Sequence, residues 1–176
     1  MNDVIENNSI IDNDDIIRIL REGYVLQLPT DTLPGLICDP HNKNAIDKIF
    51  TKKNRSYDKR LPILIPEDWN EETLVKKWSP LEKALIEKYW PGALTIVKRY
   101  TSINHLYLGD YSDTIAIRCP NDPILLNVLE RFGPVACTSA NKSGEKPKNE
   151  NSKGSTIIEV VNEKIRVLRD GDIIIK

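Results

Sequence analysis

Short apolar runs alternate with amphipathic stretches along this chain, but without the regular strand-helix-strand order of a doubly wound fold. Some apolar runs are followed by a helical stretch, whereas the last three follow one another directly. Such an order favours one mixed, twisted sheet with helices packed against it. We therefore predict a mixed α/β fold, close to the α+β class, in which helices flank a twisted sheet.

Four stretches carry residues that start helices. The predicted starts are Asp14-Asp15, Asn42, Ser79-Pro80 and Asp122-Pro123. The third is the clearest, because a capping Ser is followed by Pro at the first helical position and by Glu82 three residues after the cap. Gly23 and Gly133 are predicted to end the first and fourth helices. The second helix is predicted to present Lys53 at its end.

Short apolar runs predict strands at residues 24–28, 61–65, 93–97, 114–118, 134–137, 156–160, 165–168 and 173–175. Residues 1–11 show no comparable pattern, so we predict a loose N-terminal tail there. The rest, 12–176, is predicted to be a single domain, since a chain of 176 residues can form one substantial core.

The composition limits the possible classes of protein. A net charge of −1 and a 40% share of hydrophobic residues are typical of a soluble globular protein. The 3 cysteines are scattered, and neither a signal peptide nor zinc-ligand spacing is present. No apolar stretch approaches the roughly 20 residues that cross a bilayer. These features predict a cytoplasmic protein without a membrane segment or a zinc site.

Two basic and polar signatures follow predicted regular elements, where a scaffold exposes reactive groups. They are Lys53-Asn54-Arg55 and Ser139-Ala140-Asn141-Lys142-Ser143-Gly144. The sequence has no phosphate-binding glycine loop and no Gly-x-Ser-x-Gly elbow, and its 2 His residues give little material for a Ser-His or Cys-His triad. The first signature, with Lys59, can offset phosphate charge, and the second can donate hydrogen bonds from a tight turn. We predict a site for a nucleoside triphosphate and a small anionic substrate.

Other polar residues have both functional and structural interpretations. Arg118 ends an otherwise apolar predicted strand, so its charge requires a partner or water. Thr30 and Thr32 offer hydroxyls beyond another strand. Taken alone, Arg118 could equally be a salt-bridge partner, residues 139–141 an ordinary turn and residues 90–92 the stop of a helix.

Several motifs occur together in one order. They are Pro29-Thr30-Asp31-Thr32-Leu33-Pro34-Gly35-Leu36, Lys53-x-Arg55, Trp90-Pro91-Gly92-Ala93-Leu94-Thr95, Ile115-Ala116-Ile117-Arg118-x-Pro120 and Thr138-Ser139-Ala140-Asn141-x-Ser143-Gly144. In this order and approximate spacing they resemble the YrdC (TsaC) domain, from about residue 12 to the end, in its short single-domain form. The resemblance implies a twisted mixed sheet with a large open cavity.

The resemblance implies an L-threonylcarbamoyladenylate synthase, which is a nucleotidyltransferase. Such enzymes convert L-threonine, bicarbonate and ATP, with Mg²⁺, into L-threonylcarbamoyl-AMP and pyrophosphate. This is the first step of the t6A modification of tRNA, so downstream t6A transferase machinery is an implied partner. The basic cavity could also contact tRNA or other RNA.

The resemblance also assigns residues to the site. Those that match positions marking active members are Lys53, Arg55, Ser139 and Asn141. The implied ATP contacts are Arg55, Lys59, Thr114, Ser139, Pro147 and Arg169. The implied threonine contacts are Thr32, Arg118, Cys137 and Ser155, and no metal site on the protein is implied. We predict that the side chains of Lys53 and Arg55 lie past the apolar stripe of their helix and make no core contact.

The chain departs from the family pattern in several places. Arg60 stands where Pro is common, Leu64 where some members place a His that contacts threonine, and Pro34 where Tyr or Phe is usual. Only 14 positions separate Asn141 from Ser155, where the family has a further helix and strand. Part of the cavity wall is therefore expected to be shorter.

Two other functions are compatible with parts of the pattern. One is a double-stranded RNA-binding module without catalysis, which would use the basic cavity to contact phosphates. The other is a carbamoyl-adenylate enzyme that acts on a different acceptor. The net charge of −1 and the intact catalytic signature favour the synthase over the binding module.

Overall fold

The computed structural model describes residues 4–6, 11–70, 74–99, 106–141 and 151–176. Within these residues nine strands form one sheet, and four helices flank it. The elements are β1 (Val4–Glu6), α1 (Asn13–Arg21), β2 (Val25–Leu28), β3 (Gly35–Cys38), α2 (Lys43–Lys53), β4 (Ile63–Leu64), α3 (Pro80–Tyr89), β5 (Leu94–Arg99), β6 (Thr114–Arg118), α4 (Pro123–Phe132), β7 (Val135–Ser139), β8 (Thr156–Val161) and β9 (Lys164–Arg169).

The sheet mixes parallel and antiparallel pairs. Its strand order is β1-β2-β3-β7-β4-β6-β5-β8-β9. The pairs β1/β2, β4/β6 and β5/β8 are parallel, and the other neighbours are antiparallel. The predicted mixed α/β class with flanking helices is confirmed.

Three helices begin at the capping residues predicted from the sequence, whereas α1 is capped by Asp12 and has Asp14 and Asp15 in its first turn. The side chains that accept a hydrogen bond from the backbone N–H three residues further on are those of Asp12, Asn42, Ser79 and Asp122. Such caps satisfy N–H groups that no helical carbonyl can reach. At the other end of α2, Asn54 adopts left-handed backbone with φ 48°, which ends the helix between Lys53 and Arg55.

The two faces of the sheet are covered by different helices. One face packs against α2 and α3, in a cluster that includes Ile49, Phe50 and Leu85. On the other face, α1 and α4 cover β2, β3, β4 and β7, with Leu20 and Leu129 fully buried. Among the described residues, the second face of β5, β6 and β8 contributes to neither cluster. That uncovered part of the sheet is where the candidate site lies.

The structure differs from the predicted strands in three places. Val4–Glu6 is not part of a loose tail, because it pairs in parallel with Val25–Gln27 as an edge strand. Gly35–Cys38 forms a strand between β2 and β7 that the apolar pattern did not predict. Residues 173–175 are not a strand: the carbonyl of Ile173 accepts a hydrogen bond from the Thr156 side chain, and Ile174 is 78% exposed.

A buried ion pair connects α3 to the sheet. Glu82 is 2% exposed, accepts a hydrogen bond from the backbone N–H of Ser79 and forms a salt bridge with Lys98 of β5. Removing one partner of such a pair leaves a charge without compensation, which typically costs about 3–5 kcal/mol.

We therefore expect Glu82→Ala to lower the free energy of unfolding by about 3 kcal/mol, because it removes both the ion pair and half of the capping box. Chemical denaturation measures this change. Glu87→Ala, on the exposed face of the same helix, is the matched control and should change stability by less than about 0.5 kcal/mol. An equal effect of both substitutions would contradict the assigned role of Glu82.

Candidate active site

A cavity of about 220 Å³ lies on the second face of the sheet. Predicted site residues that line it are Thr32, Arg55, Arg118, Cys137, Ser139, Ser155 and Arg169. They come from loops and strand ends far apart in the sequence, which the sheet order brings together. The cavity therefore collects polar side chains at the place where the helices leave the sheet uncovered.

Strand alternation explains which residues face the cavity. In β6, Ala116 and Arg118 line the cavity, whereas Ile115 and Ile117 belong to the core on the opposite face. In β5, Thr95 lines the cavity between the core residues Leu94 and Ile96. A polar residue inside an apolar strand thus marks the cavity face.

Arg118 is held by three hydrogen bonds at the edge of the cavity. Its Nη2 lies 2.6 Å from Asp31 Oδ1, its Nη1 donates to Thr32 Oγ1 at 2.9 Å and its Nε donates to the Gly92 carbonyl at 2.9 Å. A guanidinium has five N–H groups, so one remains on each terminal nitrogen beyond these contacts in the described part of the chain. Arg118 is therefore both an ion-pair partner and a donor with capacity for a ligand.

Other arginines of the cavity are held by backbone carbonyls. Arg55 donates to the carbonyls of Lys59 (2.6 Å) and Arg60 (3.0 Å), and Arg60 donates to those of Ser112 (3.2 Å) and Thr114 (2.5 Å). Neutral acceptors orient a guanidinium without cancelling its charge. The loop between α2 and β4 thus presents two cations to the cavity.

Arg169, at the end of β9, brings a further cation to the cavity. It donates from Nη2 (2.6 Å) and Nε (3.2 Å) to the carbonyl of Ser155. Within the described residues neither Arg55 nor Arg169 forms an ion pair with a carboxylate.

The pKa values reflect this concentration of positive charge. Burial, together with the charge of Arg169, lowers the pKa of Arg55, although Asp58 opposes the shift. Burial and the charge of Arg118 lower the pKa of Arg169, although Asp172 opposes the shift. Both guanidinium groups still remain charged at neutral pH. A bound anion would relieve the repulsion between them.

Lys53 holds the polar turn that follows β7. Its side chain is 2% exposed, and its Nζ donates to the carbonyls of Ser139 and Asn141. The prediction that Lys53 makes no core contact is wrong, because the left-handed residue Asn54 ends the helix after Lys53 and directs only Arg55 to the cavity. Burial, together with the charge of Arg55, lowers the pKa of Lys53 to about 8.

This lowered pKa predicts a pH dependence of stability. In the unfolded chain Lys53 has an ordinary pKa of about 10.4, so the unfolded state binds more protons between pH 8 and that value. Over this interval we expect the wild type to gain stability relative to Lys53→Met, by roughly 1 kcal/mol per pH unit. Denaturation of both proteins across this pH interval measures the difference in their free energies of unfolding. Lys83→Met, on the exposed face of α3, is the control for losing a lysine elsewhere. A difference in stability between the two proteins that does not change with pH would contradict the lowered pKa of Lys53.

Cys137 lies close to Gly35, the first residue of β3. A side chain at Gly35 would place its Cβ 3.0 Å from Cys137 Sγ and 3.3 Å from Thr30 Cγ2, so glycine permits this close approach. Burial raises the pKa of the Cys137 thiol to about 11. Cys137 therefore contributes a small neutral surface to the cavity floor.

The described residues contain no group of three or more His, Cys, Asp or Glu side chains arranged to hold a metal ion. None of the helices in the described ranges is long and apolar enough to cross a membrane.

Comparison with known families identifies the group to which this chain belongs. The Sua5/YciO/YrdC family model, whose description is "Telomere recombination", matches residues 18–153. The chain belongs to the Sua5/YciO/YrdC family. The resemblance to the YrdC domain, inferred from the motifs, is thereby confirmed.

Individual members of the Sua5/YciO/YrdC family are similar to this chain in sequence or in fold. A threonylcarbamoyl-AMP synthase of Coxiella burnetii is 37% identical over 136 residues, covering 76% of this chain and 72% of the relative. The structure of Pyrococcus abyssi Sua5 in complex with L-threonine matches with a TM-score of 0.80 at 27% identity. That match covers 96% of this chain but 57% of Sua5, so this chain spans little more than half of that relative. Escherichia coli YciO has the same fold, with a TM-score of 0.77 at 20% identity over 96% of this chain and 94% of YciO.

Some residues that the family resemblance assigned to the site do not line the cavity. Among the described residues these are Lys53, Lys59, Thr114 and Asn141. Lys53 contacts the turn behind Ser139, while the backbone carbonyls of Lys59 and Thr114 hold Arg55 and Arg60. Pro147 lies outside the described residues. The roles assigned to all these residues stay predictions.

Other residues at the site were not predicted to have a role. Arg60 was noted as a departure from the family pattern and was assigned no substrate contact, yet it lines the cavity. Asp31 pairs with Arg118, and Thr95 contacts Ser155. The sequence offered a signal for Thr95, because it is the polar member of an apolar strand, but none for the pairing of Asp31.

Proposed function

We propose that the cavity is the active site of a threonylcarbamoyl-AMP synthase, a nucleotidyltransferase of tRNA t6A modification. The enzyme joins L-threonine, bicarbonate and ATP into L-threonylcarbamoyl-AMP and releases pyrophosphate. The observation that carries this proposal is the cluster of arginines beside hydroxyl side chains in one cavity, in a chain whose relatives bear this enzyme's name. The Pyrococcus abyssi Sua5 complex, which contains L-threonine, supports threonine as the amino acid.

The cationic side of the cavity suits the triphosphate. Arg55 and Arg169 have no carboxylate partners within the described residues, so their charge is available to phosphate oxygens. Ser139 lines the cavity at the end of β7, on a turn held by Lys53. We infer that these groups bind ATP, which brings Mg²⁺ as part of the nucleotide substrate.

Other residues of the same cavity suit the amino acid. Arg118 has one unused N–H on each terminal nitrogen, which is enough to donate two hydrogen bonds to a carboxylate. Thr32, Cys137 and Ser155 line the same cavity and complete a small mixed surface. We infer that L-threonine binds with its carboxylate on Arg118.

In this reaction the protein contributes mainly by positioning the substrates, rather than by forming a covalent bond to one of them. The threonine nitrogen forms a bond to the carbon of bicarbonate, water leaves, and the new carboxylate attacks the ATP α-phosphorus as the bond to pyrophosphate breaks. Three anions must approach one another, so fixed guanidinium charges lower the barrier by offsetting their repulsion. The protein needs to form no covalent intermediate.

The alternatives receive less support. A cavity of about 220 Å³ admits small molecules, and the relatives that match this chain are named as synthases rather than as double-stranded RNA-binding modules. An enzyme acting on another acceptor would share the arginines, and amino-acid selectivity separates it from the synthase. We propose a cytoplasmic enzyme whose product is consumed by a transferase acting on tRNA.

Pyrophosphate release tests the proposal. Pure protein is incubated with ATP, Mg²⁺ and bicarbonate, and each amino acid is added in turn. We expect release that requires threonine and bicarbonate together. Release that is independent of threonine, or equal for another amino acid, would contradict the assignment.

A further inference from the structure

Thr95 is a buried polar residue that lines the cavity and has no role in the reaction proposed above. It is 3% exposed, and its neighbours Leu94 and Ile96 are fully buried in the core. Its Oγ1 lies 2.7 Å from the Oγ of Ser155, the residue that precedes the neighbouring strand β8. A hydroxyl in an apolar strand costs free energy unless it is hydrogen-bonded, so this contact has a physical reason.

Either hydroxyl can be the donor in this contact, and their surroundings favour Thr95. Ser155 Oγ also faces Arg169 Nη2 at 3.2 Å, which donates to it. Both residues line the cavity, so the hydroxyl that accepts in the contact keeps its own proton for an acceptor there. Ser155 is the more exposed of the two, 7% against 3%, so its proton is the better placed to reach a ligand and Thr95 is the better donor.

We propose that Thr95 is a positioning residue that makes Ser155 a hydrogen-bond donor toward an oxygen of the amino-acid substrate. The proposal rests on the proposed function, because it takes the ligand to be threonine. Ser155 Oγ receives hydrogen bonds from Thr95 and Arg169, and these two contacts fix its remaining proton toward the cavity.

Loss of the Thr95 hydroxyl should weaken threonine binding more than ATP binding. Without Thr95, the Ser155 hydroxyl can rotate and its proton is no longer held toward the ligand. Arg169 keeps its two hydrogen bonds to the Ser155 carbonyl, so the cation offered to the nucleotide stays in place. The expected effect is therefore confined to one substrate.

The test measures the Kd of L-threonine by calorimetry, without ATP, together with the KM values for both substrates. We expect Thr95→Val to raise the Kd and KM for threonine about tenfold, the equivalent of one hydrogen bond, and to change the KM for ATP less than about twofold. Thr95→Ser, which restores a hydroxyl, should return both threonine constants to within about twofold of wild type. Thr95→Ala supplies a second hydroxyl deletion if Val disturbs the strand.

A double substitution separates positioning from packing. In a Ser155→Ala background, Thr95→Val should add no further loss, because the group it orients is gone. Additive losses, or an unchanged threonine Kd in Thr95→Val and Thr95→Ala, would overturn the proposal. If the variants show the expected pattern in threonine binding but the wild type releases no pyrophosphate, only the proposed function fails. A wild type that binds no threonine overturns both.

Discussion

Arg55→Ala should lower turnover by about 10²–10³-fold while leaving the melting temperature nearly unchanged. Removing a fixed donor aimed at developing negative charge typically costs about 2.7–4 kcal/mol of transition-state stabilisation. Arg55 lines the cavity, and its contacts are to carbonyls of its own loop rather than to the core. Its substitution therefore removes charge from the site with little loss of packing.

Steady-state pyrophosphate release and thermal denaturation together measure this effect. Arg21→Ala, on the exposed face of α1, is the matched control and should behave as wild type in both assays. Lys53→Ala should instead lower both turnover and melting temperature, because it leaves two carbonyls of the Ser139 turn without their donor. A near wild-type rate for Arg55→Ala would place the phosphate site elsewhere.

Arg118→Lys should raise the apparent KM for threonine far more than the KM for ATP. Lysine keeps the charge but loses the planar fork, so it cannot hold Asp31, Thr32 and a substrate carboxylate at once. We expect an increase of at least about tenfold in the threonine KM, since a hydrogen bond to a charged group contributes about 1.5–3 kcal/mol. Because Arg118 is also the ion-pair partner of Asp31, whose side chain is 12% exposed, the melting temperature should fall as well.

Asp31→Asn distinguishes the two roles of Arg118. It removes the ion pair but keeps the guanidinium and a hydrogen-bond acceptor of the same shape, so it should lower the melting temperature while retaining more threonine affinity than Arg118→Lys. An unchanged threonine KM in Arg118→Lys, together with a lower melting temperature, would show that Arg118 is only a salt-bridge partner.

Capping residues and apolar periodicity predicted those helices and strands whose formation depends mainly on residues close in the sequence. Ser79, Pro80 and Glu82 specify a helix start, and the structure has the capping box there. Short edge and inner strands were less predictable, because Val4–Glu6 and Gly35–Cys38 become strands only through pairing with distant residues. The apolar run 173–175 forms no strand for a related reason, as strand formation depends on pairing with a partner strand and not on composition alone.

Site residues were predictable as a set but not in their individual contacts. The motifs correctly brought Arg55, Arg118 and Ser139 to one cavity. The sequence could not show that Lys53 turns inward to the β7 turn, because that depends on one left-handed residue at the end of α2. Nor could it show that Asp31 pairs with Arg118, 87 positions away.

Mass spectrometry of the adenylate tests the central claim most directly. The protein is incubated with ATP, Mg²⁺, L-threonine and either ordinary or ¹³C-labelled bicarbonate, and the nucleotide products are compared. We predict a threonylcarbamoyl adenylate that gains one mass unit from the labelled bicarbonate and forms in step with pyrophosphate. A threonyl adenylate without carbon from bicarbonate, or pyrophosphate release with no adenylate, would contradict the account.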